Sequence, residues 1–212
     1  MIVSQKRQFV FIHIYKTAGT SIKRVLRQYA MEPWQHSANS VLKRIGVRQF
    51  KPGDRGDHDK ASDLIGEMGR REFDQLFSFA FVRNPWDWEL SHYRYILKMP
   101  KHDLHQQVKQ LSGFSDYIRF RCDRRFHTQE SFLLHDGKPV VDFVGRFENL
   151  ESDFRYVCRR IGIPFRLPSL NRTKKEDYQR HYDDQTRELV ATTFANDIRR
   201  FGYRFDSPAL KN

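Results

Sequence analysis

Two short stretches of this chain hold residues whose types and order suit the capture of phosphate. The first is Tyr15-Lys-Thr-Ala-Gly-Thr-Ser21. A helix that starts here would offer unpaired backbone N–H groups and the positive end of its dipole, so an anion would settle there. Gly19 lets the backbone approach a ligand, the hydroxyls add donors, and Lys16 adds a mobile positive charge. The stretch is not a Walker A loop, in which the lysine follows the second glycine. Here Lys16 precedes the only glycine, and no strand ends in an obvious magnesium-binding aspartate. Phosphate binding is the expectation; metal-assisted nucleotide hydrolysis is not. An ordinary capped helix after a lysine fits the same residues, so this stretch alone does not decide.

The second stretch is Phe81-Val-Arg-Asn-Pro-Trp-Asp87, with Ser91 eight residues beyond Arg83. An arginine fork and a hydroxyl about two helical turns away suit another phosphate. Taken alone, Arg83 fits a structural salt bridge better.

Elements to position both stretches can be read from the apolar pattern. Phe9 to Ile14 is nearly continuous in β-branched and aromatic residues, as a strand covered on both faces should be. Ile22, Val25, Leu26 and Tyr29 then mark one face of a helix opened by Thr20-Ser21. The polar segment 31 to 60 reads as a weak helix near Val41 to Ile45 and then a loop; a short helix covers Ala61 to Gly66. Phe77 to Val82 is a second strand, stopped by Asn84-Pro85, so Arg83 stands at a strand's carboxyl end, where open α/β sheets bind ligands. Trp86, Leu90, Tyr93 and Leu97 continue as a helix ending before Pro100. Residues 101 to 135 read as irregular and helical. Asp136-Gly-Lys-Pro139 turns into a third strand, Val140 to Val144. Leu150 to Ile161 is a further helix, and a final one carries Val190, Phe194, Ile198 and Phe201 up to Gly202. The alternation predicts an α/β fold.

Composition bounds the rest. The chain has 212 residues, close to one domain at about 150 residues each. Two cysteines, Cys122 and Cys158, cannot build a disulfide scaffold or a four-cysteine metal site. Thirty-eight basic against twenty-six acidic residues leave a net charge of +12, which implies an anionic partner without choosing among nucleic acid, membrane, glycan or phosphorylated cofactor. No apolar run approaches the roughly 18 to 20 residues of a membrane span. The start lacks the order of a signal peptide. A cytoplasmic location is therefore expected.

Together the two stretches are more specific than either alone. Lys16-Thr-Ala-Gly-Thr-Ser21, and Phe81 to Asp87 followed by Ser91, resemble the 5′-phosphosulfate loop and the 3′-phosphate motif of sulfotransferases. The resemblance is to the carbohydrate sulfotransferases of sulfotransferase family 2. Val144-Gly-Arg-Phe-Glu-Asn-Leu150 and Asp197-Ile-Arg-Arg-Phe-Gly-Tyr203 look like the same family, so the likeness covers most of the chain. It departs at Trp88, where the family often has arginine, and in lacking the membrane anchor of the Golgi members.

The resemblance implies a P-loop-like three-layer fold with a mostly parallel central sheet, and residues 1–212 as one sulfotransferase domain. It implies 3′-phosphoadenosine 5′-phosphosulfate (PAPS) as cosubstrate, no metal, and a carbohydrate or glycolipid acceptor. By position, Lys16 would contact the phosphosulfate bridge, and Thr17, Ala18, Gly19, Thr20 and Ser21 would surround the 5′-phosphate. Arg83 and Ser91 would hold the 3′-phosphate. Arg172 and Lys174, in the basic loop Arg172 to Lys175, sit where such enzymes close a segment over the cofactor; a solvated charge run fits that loop equally.

Sulfuryl transfer to a hydroxyl is an in-line displacement that needs a proton acceptor and a stabilised leaving oxygen. Lys16 suits the second task. Among nine histidines, His58 suits the first, in the loop where similar enzymes carry a catalytic histidine. A solvated histidine between Asp57 and Asp59 is its plainer reading. His13 reads as a core residue, and His92 has no independent argument. His102 and His105 make half a metal site that nothing completes. Glu148 reads as a cap or ion pair. Two alternatives stay open: a P-loop-type kinase or other phosphate-binding transferase, disfavoured by the missing Walker A loop, and a basic nucleic-acid-binding module, disfavoured because no nucleic-acid-binding motif accompanies the charge.

Overall fold

The computed structural model describes residues 1–30, 41–42, 44–45, 59–124, 126–167 and 177–206. They fall into two compact units: residues 1–81 with 132–170, and residues 82–131 with 171–212.

The first unit is built on a four-stranded sheet ordered β1-β2-β3-β6, from β1 (Ile2–Ser4), β2 (Phe9–Ile12), β3 (Phe77–Val82) and β6 (Phe143–Arg146). β1 pairs antiparallel with β2, and β2 pairs parallel with β3, with Phe9 opposite Phe77 and Ile12 opposite Ala80. The mixed α/β architecture with a mostly parallel sheet agrees with the sequence reading. Every residue of β2 is buried, which explains its unbroken apolar character.

Alternation along the pleat puts Phe9, Phe11, Phe79 and Phe81 on one face. They pack with Ile22, Val25 and Leu26 of α1 (Gly19–Leu26) and with Phe154, Val157, Cys158 and Ile161. Phe11 and Phe79 stack at 5.3 Å. Val10, Ile12 and Ala80 point the other way and are buried as well, so both faces of the sheet are covered. Between the strands lie α2 (Ala61–Met68), where a helix is expected, and the short α3 (Arg70–Phe73).

The third strand differs from expectation. Residues 134–139 form a small hairpin, β4 (Leu134–His135) and β5 (Lys138–Pro139), turned by Asp136 and Gly137, both at positive φ. Val140 N–H still bonds Leu133 O at 3.0 Å. Asp142 then locks onto Ser78: its carboxylate accepts from Ser78 N–H (2.7 Å) and the hydroxyl (2.8 Å). Asp142 N–H also bonds Ser78 O at 3.0 Å, so this segment already lies along β3, although β6 begins only at Phe143. Gly145 of β6 is dictated by packing, since a Cβ there would lie 2.5 Å from the Phe81 ring. The helix after β6, α7 (Leu150–Arg160), runs as expected to Gly162 at φ +67°.

The second unit is helical. It comprises α4 (Pro85–Lys98), α5 (His105–Lys109), α6 (Phe114–Cys122), a 3-10 turn (Tyr178–His181), α8 (Asp184–Thr193) and α9 (Ala195–Phe201). The single final helix expected from sequence is two, broken at Phe194, whose ring packs edge-on against Trp88 at 5.9 Å.

Candidate functional site

The first candidate stretch lies where the sequence puts it, between the carboxyl end of β2 and the start of α1. Its shape comes from the backbone. Lys16 (φ +62°) and Ala18 (φ +66°) are both left-handed, a conformation that costs a non-glycine residue roughly 1 kcal/mol. Thr17 between them is fully buried, and its hydroxyl donates to Ile14 O at 2.8 Å, closing the loop. Tyr15 packs edge-on against Phe132. Ser21 and Ile22 N–H both turn back to Ala18 O, at 3.0 and 3.2 Å.

Ala18, the N-cap residue of α1, offers no side-chain cap bond, and the first turn of the helix carries no acidic residue. A helix start of that kind, preceded by alternating backbone hands, presents N–H groups and positive potential to an anion. Lys16 and Ala18 are half-buried, Ser21 is buried and Thr20 is exposed.

Gly19 has a more specific reason than close approach of a ligand. A Cβ there would sit 1.8 Å from His13 Cδ2. The His13 ring, buried and stacked on Phe11, occupies that space. His13 is thus a packing residue of the loop, as its strand position suggests.

The second stretch lies at the carboxyl end of β3 and the start of α4. Asn84 caps α4 by accepting from Trp86 N–H at 3.1 Å. Its amide nitrogen donates to Tyr178 Oη and Arg204 O. Pro85 takes the first helical position, where its missing N–H costs nothing. Trp86 Nε1 donates to Arg187 O, and Tyr182 donates to Trp86 O. Arg83 grips Asp87 with two parallel bonds of 2.8 Å, which fixes the guanidinium plane. The pair is mostly buried, with Arg83 12% and Asp87 20% exposed. Ser91 lies two turns along α4 and is half-buried. Trp88, the departure from the family pattern, is fully buried, so it alters the interior of this unit rather than a surface.

The neighbours of Ser91 on α4 face inward. Glu89 is fully buried and accepts from Tyr117 Oη at 2.9 Å and Arg121 Nε at 3.3 Å. Burial pushes its carboxyl up, against the pull of Arg121 and Tyr117. His92 Nδ1 lies 3.0 Å from Tyr117 Oη, so it belongs to the same buried network. His105 bonds Ile96 O at 2.8 Å, and His102 Nδ1 accepts from Leu104 N–H. No cluster of three metal-ligating side chains occurs among the described residues. Both cysteines are free, and burial pushes the Cys158 thiol up to about 11. Glu148 is half-buried in the 3-10 turn Phe147–Asn149. His58, Arg172 and Lys174 lie outside the described residues.

Sequence reasoning missed Gln129, whose fully buried carboxamide bonds both backbone groups of Arg83. It also missed the part played by Asp197, which accepts from the N–H groups of Gln129 (2.9 Å) and Glu130 (2.8 Å). Burial raises the Asp197 carboxyl to about 6, opposed by those two N–H bonds. A glutamine in an irregular segment carries no periodic signal; only the aspartate stood within a family-like motif.

Comparison with known proteins bears on the family of the chain. An uncharacterised protein of Archaeoglobus fulgidus is 32% identical over 120 residues, 55% of this chain and 93% of that one. Carbohydrate sulfotransferase 14 of Danio rerio is 26% identical over 190 residues, covering 77% of this chain and 48% of the relative. The Homo sapiens protein of the same name is 25% identical over 186 residues, covering 77% and 47%. The chain therefore spans about half the length of these two named relatives. They are Golgi-type enzymes, which overturns the cytoplasmic expectation. No helix among the described residues is long and apolar enough to cross a membrane, but that expectation rested on an apolar pattern read from about half the length of such enzymes. The model of the sulfotransferase family matches residues 1–204, and the chain belongs to that family, as a member of sulfotransferase family 2.

Proposed function

We propose that this chain transfers a sulfuryl group from PAPS to a hydroxyl of a carbohydrate or glycoconjugate, with residues 1–212 acting as one P-loop-like sulfotransferase domain. The observation that carries the reading is the loop before α1: an uncapped helix start, two left-handed residues, and a lysine at one of them. That arrangement fits a phosphate, and membership of the family makes PAPS the phosphorylated ligand of choice. PAPS supplies an activated sulfuryl group on a phosphate leaving group.

Backbone N–H groups of residues 17 to 20, with the Thr20 and Ser21 hydroxyls, hold the 5′-phosphate; the Ser21 N–H is committed to Ala18 O. The Thr17 hydroxyl is committed to Ile14 O, so that residue contributes its backbone. Lys16 neutralises charge that grows on the bridging oxygen during transfer, an interaction stronger in the transition state than before it. Arg83, oriented by Asp87, and Ser91 hold the 3′-phosphate. Arg172 and Lys174 close over the cofactor. His58 takes the proton from the acceptor hydroxyl, and His58→Ala should lower turnover by about 10² to 10⁴ while leaving nucleotide affinity unchanged.

The acceptor class follows from the carbohydrate sulfotransferases among the relatives, and a net charge of +12 is compatible with an anionic glycan. Mass spectrometry of glycans and glycolipids incubated with the protein and PAPS tests the reading. A protein-dependent mass gain of one sulfuryl group is expected. Phosphorylation with ATP and magnesium, without any sulfation, would replace it with a kinase.

A further inference from the structure

Gln129 makes an uncommon use of a side chain. Its Oε1 accepts from Arg83 N–H and its Nε2 donates to Arg83 O, both at 2.8 Å. A carboxamide held this way copies the peptide group of a neighbouring strand and fixes the peptide planes on both sides of the arginine. Gln129 is itself held, because its N–H and that of Glu130 bond the two carboxylate oxygens of Asp197 on α9. Arg200, one turn further along α9, pairs with Glu130 at 2.7 Å. Gln129 and Asp197 are both fully buried, so the chain of bonds runs through a region sheltered from water.

We propose that Gln129 is a positioning residue for Arg83, setting the aim of its guanidinium at the 3′-phosphate, and that Asp197 holds Gln129 in register. The inference rests on the reading that Arg83 binds that phosphate. Asp87 fixes the plane of the guanidinium from the side chain, and Gln129 fixes its root from the backbone. A bidentate contact needs both, since an error of an ångström forfeits its geometry. Burial disfavours ionisation of Asp197 and the two N–H bonds favour it; of the charged groups facing it, Glu130 disfavours ionisation and Arg200 favours it. Protonated, the carboxyl turns one acceptor into a donor facing an N–H, and the anchor of Gln129 loosens.

Titration calorimetry with adenosine 3′,5′-bisphosphate and with 5′-AMP gives a ratio of dissociation constants that isolates the 3′-phosphate. In Gln129→Met that ratio should fall about tenfold with 5′-AMP affinity unchanged, the equivalent of one hydrogen bond to a charged group. Arg83→Ala should remove most of the ratio, and adding Gln129→Met to it should change nothing further. Should Gln129→Met not fold, Asp197→Asn decides. The native ratio should drop as pH falls through about 6, and the variant should lack that drop, the titration of the ligand being common to both. An unchanged ratio in folded Gln129→Met, or identical pH profiles for native protein and Asp197→Asn, overturns the proposal. A ratio that survives Arg83→Ala shows instead that the reading of Arg83 is wrong, and the clamp falls with it.

Discussion

The two candidate phosphate-binding stretches are shaped by different means. The loop of residues 15–21 is shaped mostly by the main chain: two left-handed residues and a glycine pressed against a histidine ring, with one side-chain bond from the buried Thr17 hydroxyl to Ile14 O. The N-cap residue of its helix, Ala18, makes no side-chain cap bond, an arrangement suited to a ligand at the helix start. The corner of residues 83–87 is shaped by side chains. Asn84 caps the helix, Asp87 holds the guanidinium and Gln129 holds the backbone. A backbone-shaped site should fail by changes in steric fit, whereas a side-chain-shaped site should fail by loss of single hydrogen bonds.

The largest expected effect separates the two in function. Arg83→Ala should weaken binding of adenosine 3′,5′-bisphosphate by about 2–4 kcal/mol, through loss of a charged hydrogen bond. Lys16→Ala should lower turnover more than affinity, because its contact matters most as the bridging oxygen gains charge. Calorimetry and steady-state kinetics on both variants would show the split. Equal and small effects would mean that both residues are structural.

The next concerns fit. Gly19→Ala should destabilise the protein by about 3 kcal/mol in urea unfolding, since the new methyl meets the His13 ring at 1.8 Å. Adding His13→Ala should recover roughly half of that loss, although it leaves a cavity beside Phe11. Full stability in the single variant would show that the ring swings aside freely.

Of comparable or smaller size is a pH effect in the side-chain network. Asp197 ionises at about 6 in the folded protein against 3.8 in its ordinary state, so the folded chain holds the proton more tightly. Its contribution to stability is complete below about 4 and is lost as pH rises through 6. The change is on the order of 2–3 kcal/mol, and it should be absent from the pH–stability curve of Asp197→Asn. Parallel curves for the two proteins would mean that the N–H bonds of Gln129 and Glu130 balance burial.

What could be read from the sequence follows the same division. β3 begins and ends where its apolar run does, and α4 starts at the proline and stops before Pro100, because local pattern and local breakers decide both. β1 is three residues long, too short to carry a period, and exists only because β2 lends it a partner. The third strand starts at Phe143, after Asp142, whose carboxylate is bonded to Ser78, sixty-four residues away in sequence. The final helix broke at Phe194, which packs on Trp88. Lys16, Gly19, Arg83 and Ser91 stood out because their types and spacing carry chemistry. Gln129 acts through the backbone of a residue forty-six positions earlier, and no local pattern announces such a bond.

The smallest expected effect probes the backbone-shaped loop directly. Ala18 ends that loop with φ +66° and ψ +12°, in the left-handed region where its Cβ crowds the following carbonyl. Glycine has no such penalty, so Ala18→Gly relieves roughly 1 kcal/mol of strain in the folded state. Glycine also widens the unfolded ensemble, which takes back about 0.4–1 kcal/mol. The two terms nearly cancel, and the net change in stability should lie within about 0.5 kcal/mol of zero. The corresponding change at the other corner has nothing to offset it. Asn84→Ala removes a cap and two further bonds, and should cost about 1–2 kcal/mol. Urea unfolding of the pair, at one pH, measures the contrast. A loss of about 2 kcal/mol in Ala18→Gly would mean that the alanine methyl makes packing contacts that outweigh its strain, and the loop would then owe its shape to side chains as the Arg83 corner does.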